Sequence, residues 1–248
     1  MKKYHGIKTL VLFTGLSLVF SSIAFADQKD NIILAQKSDA KDQKAKESTS
    51  QLFVYKPPMR GKPGNRVGGG TRGFDSDMPV VAALVPDHTG LTTMGQPILY
   101  WYLSQPTKHN IEFTLNDDHS IDPIIEVKLK NANTKGIHSI RLSDYNITLL
   151  QGIEYQWFVT VVRDPEQRSK DIIATGTIRR VEFSRGLNEE LTRAGKKEVP
   201  SVYAEQGIWY DTLSSLSELI NANPDDKGLV EKRTSLLQQI GLSEVVGK

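Results

Sequence analysis

The chain has 248 residues, with 31 Lys and Arg against 29 Asp and Glu, 38% hydrophobic residues and no cysteine. This length and composition suit one or two globular domains and exclude collagen, coiled coils and disulfide scaffolds. The lack of cysteine also excludes thiolate zinc sites, iron–sulfur clusters and cysteine nucleophiles, because each requires a sulfur atom.

Residues 1–26 are predicted to be an export signal. Three lysines form a positively charged start, residues 10–20 are mostly apolar, and Ala24-Phe25-Ala26 has the small-x-small form of a cleavage site. Cleavage after Ala26 lowers the formal net charge from +2 to −1. The mature protein is therefore expected in the periplasm or secreted, with no nucleic-acid partner and no stable membrane insertion. An uncleaved anchor is the alternative, although the apolar stretch is shorter than the roughly 20 residues that span a bilayer.

Two irregular segments follow the signal. Residues 27–52 are predicted to be a disordered leader, because they carry five acidic and five basic residues and no aromatic one. Residues 53–78 are predicted to be an irregular arm with five basic residues, no acid before residue 75, and three consecutive glycines. Consecutive glycines can turn several backbone N–H groups toward an anion, and arginines add charge-assisted bonds. The candidate binding residues of this arm are Arg60, Arg66, Gly68, Gly69, Gly70 and Arg72.

The alternative interpretation of the basic arm is that it lies on its own chain. The rest of the mature chain is net negative, so it can attract the arm without any partner. Charge reversal at Arg66 and Arg72 distinguishes the two interpretations, because self-docking predicts a large drop in melting temperature and partner capture does not.

Residues 79–183 alternate β-branched or aromatic runs with turn residues, which is typical of an antiparallel β-sandwich. Residues 149–155 resemble the tyrosine corner of immunoglobulin-like and fibronectin-type sandwiches, in which a tyrosine hydroxyl bonds to nearby backbone. We therefore predict a mainly β fold of the immunoglobulin/fibronectin-III-like class. The predicted strands are 80–85, 98–103, 110–115, 124–130, 137–142, 155–163 and 172–181.

Alternation along two of these strands predicts the core. Trp101 shares a face with Leu99 and Leu103, while Trp157 shares a face with other apolar residues of strand 155–163. Each large aromatic side chain can bury about 150 to 250 Å². We therefore predict that Trp101 and Trp157 meet in one core between the sheets.

Residues 184–248 are predicted to form a helical hairpin packed on the sandwich. One helical face contains Val202, Trp209, Leu213, Leu216 and Ile220 and ends before Asn223-Pro224. A second helix, from residue 229 to 240, is closed by Gly241. The first helix resembles part of a tetratricopeptide repeat, but one unit is too few for a repeat array.

Apolar side chains also lie on the outer faces of two predicted strands. Tyr100 and Tyr102 share one outer face, and Phe158 and Val162 share another. The helical hairpin is expected to cover one of these faces, because it cannot shield both sheets. An uncovered aromatic face is a candidate recognition surface, so Tyr100 and Tyr102 join the candidate binding residues.

Motifs with chemical associations are weak in this sequence. Gly68-x-Gly70-x-x-Gly73 lacks the preceding strand and following helix of a dinucleotide site. Residues 116–122 offer oxygen and imidazole ligands, yet Asn, Asp and Ser are also the residues of hairpin loops. No Gly-x-Ser-x-Gly elbow is present. We therefore predict no catalytic residue, no metal site and no cofactor.

Five motifs together resemble one family: Pro58-x-x-Gly61-x-Pro63, Gly68-Gly69-Gly70-Thr71-Arg72-Gly73, Ala83-Leu84-Val85-Pro86, Gln96-Pro97-Ile98-Leu99-Tyr100-Trp101-Tyr102 and Gly207-Ile208-Trp209-Tyr210-Asp211. The chain resembles domain-of-unknown-function family 928, a family of exported bacterial proteins, over residues 53–240. The resemblance implies an export address. It implies no activity, cofactor or catalytic residue, because the family has none assigned.

The expected function is that of a non-enzymatic binding or interaction protein of the bacterial cell envelope, with another envelope protein as its partner. The alternative is a periplasmic hydrolase or carbohydrate-active protein that uses acidic loop residues. A deep cleft joining Asp87, His88, Asp117 and His119 would favour the enzyme, whereas a dispersed arrangement would favour binding.

Overall fold

Two β-sheets and a set of C-terminal helices make up the structure, a computed structural model that describes residues 53–58, 65–68, 78–117 and 120–242. These residues belong to one compact unit. The signal, the leader and part of the arm lie outside the described residues. In chain order the strands are β1 (Val67–Gly68), β2 (Val81–Ala83), β3 (Gly90–Thr92), β4 (Ile98–Leu103), β5 (Asn110–Asp117), β6 (Ile125–Leu129), β7 (Gly136–Arg141), β8 (Glu154–Val162) and β9 (Ile172–Arg180).

The strands form one antiparallel and one mixed sheet. The first sheet has the order β1-β2-β4-β7, and the second has the order β3-β9-β8-β5-β6. Only the β3–β9 pair is parallel among the described strands. The seven predicted strands are confirmed to within two residues at each end. The sequence missed β1 and β3, because two or three residues are too few to display a period of two.

A single hydrophobic core lies between the sheets. Trp101 from β4 and Trp157 from β8 both belong to it, as predicted, and both are buried. The two rings nevertheless have different aromatic neighbours. The Trp157 ring lies 6.3 Å from that of Phe113, whereas the Trp101 ring lies 5.6 Å from that of His138.

The predicted tyrosine corner is present just before β8. The backbone N–H of Leu150 donates to the Tyr155 hydroxyl oxygen at 2.9 Å. Gly152 has a φ of +81°, which lets the chain turn between these two residues. This bond closes the loop that leads into the central strand of the second sheet.

Four helices follow the sheets, where the sequence predicted a single helical hairpin. They are α1 (Arg185–Arg193), α2 (Val199–Glu205), α3 (Trp209–Ala222) and α4 (Lys227–Gln239). The prediction missed α1 because it is strongly polar, with Leu187 its one buried residue. The helix is capped by Ser184, whose hydroxyl accepts from the Leu187 backbone N–H. No helix in the described part of the chain is long and apolar enough to cross a membrane.

The first predicted helix is divided in two. Val202 lies on α2 and Trp209 begins α3, so the assignment of both to one helical face is wrong. Gly207 lies between them with a φ of +70°, a left-handed conformation that interrupts the helix. The predicted ends are correct, because α3 stops at Ala222 and Gly241 follows α4 with a φ of +75°.

Helices α3 and α4 cover the outer face of β4. The apolar side of α3, with Trp209, Leu213 and Leu216, is buried as predicted. As a result Tyr100 is 8% exposed and Tyr102 is 3% exposed. The expectation of an exposed aromatic surface at these two tyrosines is therefore corrected, since the helices take the place of a partner there.

Candidate functional site

The described part of the basic arm is docked on its own chain. One terminal nitrogen of Arg66 donates to the carbonyl oxygens of Val85 at 3.0 Å and Ile240 at 2.9 Å. Burial lowers the pKa of the Arg66 guanidinium, and the nearby Asp87 carboxylate opposes that shift. Arg66 thus satisfies backbone acceptors from two distant parts of the chain, which supports the self-docking interpretation.

Gly68 serves a close approach between strands. A Cβ at this position would lie 2.4 Å from the Ile173 carbonyl oxygen, so only glycine lets β1 approach β9 this closely. The other candidate residues of the arm, Arg60, Gly69, Gly70 and Arg72, lie outside the described residues.

Residues 53–58 continue this docking toward the helices. Tyr55 donates its backbone N–H to the Gln239 side chain at 2.8 Å, and its ring lies edge-on against Trp209 at 5.0 Å. The Tyr55 hydroxyl lies 3.4 Å from both His88 Nε2 and the Gly207 carbonyl oxygen. Burial raises the pKa of the Tyr55 hydroxyl, with a smaller contribution from Asp87. The segment therefore ties the N-terminal part of the described chain to α3 and α4.

Replacement of Arg66 by alanine is expected to lower the free energy of unfolding by about 2 kcal/mol, because two carbonyl groups lose charge-assisted hydrogen bonds. Urea denaturation of the mature protein measures the change. Arg185→Ala is the matched control, since its side chain is 92% exposed and pairs with Glu189 on the surface. That control should stay within about 0.5 kcal/mol of the parent protein. Equal stability of the Arg66 variant and the parent would instead leave the arm available for a partner.

The acidic loop residues are dispersed in the described structure. Asp87 is exposed, while His88 is buried and its Nδ1 lies 3.0 Å from the Thr89 carbonyl oxygen. Asp117 lies three strands away from β3, since Gly90 is opposite Ile178, Ile178 is opposite Tyr155, and Tyr155 is opposite Asp117. At a strand spacing of about 4.8 Å this separation is about 14 Å. His119 lies outside the described residues, which contain no metal-compatible cluster of three or more His, Asp or Glu.

A buried carboxylate joins α3 to β3. Asp211 accepts hydrogen bonds from the Thr92 hydroxyl at 2.5 Å, from the Thr93 backbone N–H at 2.9 Å, and from the Thr93 hydroxyl. Burial raises the pKa of the Asp211 carboxyl, and these hydrogen bonds oppose the shift. Asp211 is 4% exposed and its bonds are all to the same loop, so it anchors the helix and is closed to a substrate. Sequence reasoning did not single out Asp211, which entered only as the last residue of the family motif ending in Trp209-Tyr210-Asp211.

The open side of the sandwich contains a groove. Strand β6 is one edge of the second sheet and β7 is one edge of the first, and both border the same cavity of about 640 Å³. We call this cavity the β6–β7 groove. It is lined by Trp101, Val127, Leu129, His138, Ile140 and Tyr145, together with charged residues at its rim.

Trp101 contributes an unsatisfied donor to the lining of the β6–β7 groove. Its side chain is 1% exposed, and its indole Nε1–H has no hydrogen-bond partner among the described residues. The other two indoles are both bonded at 2.9 Å, Trp157 to the Tyr210 hydroxyl and Trp209 to the Leu84 carbonyl oxygen. A buried donor without a partner costs about 1 to 3 kcal/mol. The groove therefore gains if a ligand brings an acceptor to Trp101.

His138 holds one face of the Trp101 ring. The two rings stack with an interplanar angle of 20°. The Nε2 of His138 lies 2.7 Å from the Thr134 carbonyl oxygen, which can only accept, so this nitrogen carries the proton. One face of the indole is thus covered, and the indole N–H is buried without a hydrogen-bond partner among the described residues.

The rim of the β6–β7 groove is predominantly basic. Lys128, Lys130 and Arg141 contribute three positive charges, and Asp144 contributes one negative charge. Sequence reasoning missed this site because it assigned Trp101 to the core and did not associate it with any binding surface. Alternation within β6 and β7 could not reveal that both are edge strands on the same side of the sandwich.

A second cleft, of about 770 Å³, lies among the loops near Lys108, Arg163 and Lys170. Its lining also includes His109 and Asp164. Of its charged residues, Lys108 and Lys170 are exposed, whereas Arg163 and Asp164 are half-buried. In the described residues none of its lining atoms is a buried polar group without a partner, so it has weaker support as a binding site than the β6–β7 groove.

The described residues form a mainly β structure with one antiparallel sheet, one mixed sheet and four C-terminal helices. The β6–β7 groove lies at the edges of the two sheets. The chain belongs to the family described as Domain of Unknown Function (DUF928), whose model matches residues 67–248. This match confirms the resemblance found in the motifs, although it begins after the proline-containing motif at residues 58–63. Comparison with curated proteins finds no match.

Among solved structures, the chain is similar to a DUF3244 family protein with an immunoglobulin-like β-sandwich fold from Bacteroides vulgatus ATCC 8482. The two chains share 12% sequence identity with a TM-score of 0.26, and the alignment covers 45% of this chain and 96% of the other.

Proposed function

We propose that this protein is a non-enzymatic binding protein of the bacterial cell envelope, and that it holds a protein partner in the β6–β7 groove. The observation that carries the proposal is the buried Trp101 indole N–H, which lines a groove and lacks a partner among the described residues. Export rests on the signal pattern of residues 1–26. An immunoglobulin-like sandwich with a helical hairpin formed by α3 and α4 is part of the same proposal.

A protein partner is preferred over a glycan because of the aromatic geometry. Sugar sites offer open aromatic faces, but His138 covers one face of Trp101, and Tyr100 and Tyr102 are buried below the helices. Tyr145 is the most exposed aromatic residue lining the β6–β7 groove, and its side chain is only 38% exposed, so the groove offers no fully open aromatic platform for a sugar ring. The groove instead offers apolar walls, a lining tryptophan with a buried donor, and exposed charged residues, which suit a polypeptide.

The hydrolase alternative has less support from the geometry. By the strand register Gly90, which is three residues after Asp87, lies about 14 Å from Asp117, and neither aspartate lines the β6–β7 groove or the second cleft. General acid–base catalysis needs both groups within reach of one substrate bond, so this dispersal favours binding.

Site-specific photocrosslinking in the native envelope tests the proposed function. A benzophenone amino acid in place of Tyr145 is expected to capture one protein partner, which mass spectrometry identifies. The matched control is the same replacement at Phe183, an aromatic residue that is 46% exposed and lies outside the groove lining. Capture of the same species with equal yield at both positions, or capture at Phe183 alone, would remove the support for binding at the groove.

A further inference from the structure

Resting on the proposed function, we propose that the ligand of the β6–β7 groove is an extended polypeptide strand with acidic side chains, which adds to the free edge of β7. The strand supplies an acceptor to the Trp101 indole and negative charges to the basic rim. The partner is thereby defined by its chemistry: an exposed segment of about six residues that alternates apolar and acidic side chains.

The two strands that border the groove make strand addition favourable. An edge strand presents a row of backbone N–H and C=O groups to any chain that can pair with them. Neither β6 nor β7 has a second neighbouring strand among the described residues. Peptide recognition by strand addition uses these main-chain groups for affinity and alternate side-chain positions for specificity. The groove thus offers the backbone acceptors and donors that an extended peptide requires.

Strand β7 is the better edge of the two. Lysines on an edge strand discourage pairing, and β6 carries Lys128 with Lys130 directly after its end. The six residues of β7 read Gly-Ile-His-Ser-Ile-Arg, so its only full charge is Arg141 at the last position. Six residues of antiparallel strand extend about 20 Å, which sets the length of the paired segment.

Alternation explains how one strand serves the whole groove. Successive side chains of a strand point to opposite faces. Every second side chain of the added strand therefore faces Val127, Leu129 and Ile140, the apolar walls. A backbone carbonyl or an inward carboxylate can accept from the Trp101 indole, which removes the cost of a buried donor.

The charges at the rim select an acidic strand. Lys128, Lys130 and Arg141 outnumber Asp144, so acidic side chains gain and basic side chains are repelled. The same charges oppose the pairing of two copies of β7, because each copy brings Arg141 to a rim that is already basic. A partner of opposite charge therefore suits this edge better than a second copy of this chain.

The indole N–H signals of the mature, ¹⁵N-labelled protein test the proposal. The chain has three tryptophans, and Trp101→Phe assigns the relevant signal by its loss. The probe is the peptide Val-Glu-Val-Glu-Val-Glu with blocked ends. We expect saturable binding that moves the Trp101 indole proton downfield, as a new hydrogen bond does. The Trp157 and Trp209 indoles, already bonded within the protein, serve as internal controls and should stay in place.

Two control peptides separate strand addition from other binding. Val-Lys-Val-Lys-Val-Lys should bind at least about tenfold more weakly, because its charges oppose the rim. A version of the acidic peptide with proline at its third position should also bind about tenfold more weakly, since proline lacks a backbone N–H and disfavours pairing. The double variant Lys128→Glu, Lys130→Glu should lose about tenfold in affinity for the acidic peptide.

Three outcomes would overturn the proposal. They are the absence of a saturable shift at Trp101, equal binding of the proline peptide, and a Trp101 shift that depends on protein concentration without peptide. The last would indicate a second copy of this chain as the occupant. Specific capture at Tyr145 combined with any of these results would leave the proposed protein-binding function standing and reject only the acidic strand.

Discussion

Replacement of Trp157 by alanine is expected to lower the free energy of unfolding by about 4 kcal/mol relative to the parent protein. The Trp157 ring is fully buried, packs on Phe113 and lies against Gly176. Truncation therefore leaves a large cavity at the centre of the second sheet. It also removes the hydrogen bond of 2.9 Å that the indole N–H donates to the Tyr210 hydroxyl oxygen. For a unit of this size, the expected fall in melting temperature is about 10 °C.

Urea denaturation and calorimetry measure this change. Gln156→Ala is the matched control, because Gln156 precedes Trp157 on β8 and is exposed. The control should stay within about 0.5 kcal/mol of the parent. A loss below about 1 kcal/mol for Trp157→Ala would contradict the placement of the indole in the core. Such a result would undermine the two-sheet architecture that positions the β6–β7 groove.

Replacement of Asp211 by alanine is expected to lower the free energy of unfolding by about 3 kcal/mol. The change leaves the Thr93 backbone N–H and two threonine hydroxyls without their acceptor. Because these groups join β3 to α3, the variant should also loosen the helix that covers β4. Glu218→Ala is the matched control, since Glu218 is an exposed carboxylate on the same helix.

The contribution of Asp211 also depends on pH. Burial raises the pKa of Asp211 in the folded protein above the value of about 3.9 in an unfolded chain. Between these two values the folded state binds more protons, so stability falls as pH rises. The stability advantage of the parent over Asp211→Asn should therefore be largest below about pH 4 and decrease as pH rises through the folded-state pKa. An advantage that grows with pH would show that the threonine donors outweigh the effect of burial.

Local patterns were sufficient to predict seven of the nine described strands and the residues at which α3 and α4 end. Successive side chains of a strand point to opposite sides. In residues 98–103 and 155–163 the apolar residues at every second position therefore indicate which side of the strand faces the core. The tyrosine corner at Tyr155 was predictable for the same reason, because its bond to Leu150 spans five residues. In contrast, β3 could not be predicted, since it is three residues long and exists through parallel pairing with β9, which is distant in sequence.

The candidate site depended on contacts that no local pattern contains. The alternation of β4 placed Trp101 in the core, and the structure agrees. Its place beside the groove depends on tertiary packing, because β7 contributes His138 and β6 contributes Val127 to the same lining. Tyr100 and Tyr102 show the reverse case. The sequence marked them as apolar on an outer face, but only the packing of α3 and α4 determined that this face is covered.

The amino-acid sequence by itself determined the mainly β character of the fold, seven of the nine described strands, the C-terminal ends of α3 and α4, and the family, because backbone periodicity and turn chemistry act over a few neighbouring residues. The tertiary structure decided which edges of the sheets remain open, where Arg66 docks and which buried donor lacks an acceptor. These properties arise from residues far apart in the chain, such as Arg66 and Ile240, and they exist only once the two sheets and the helices have packed together.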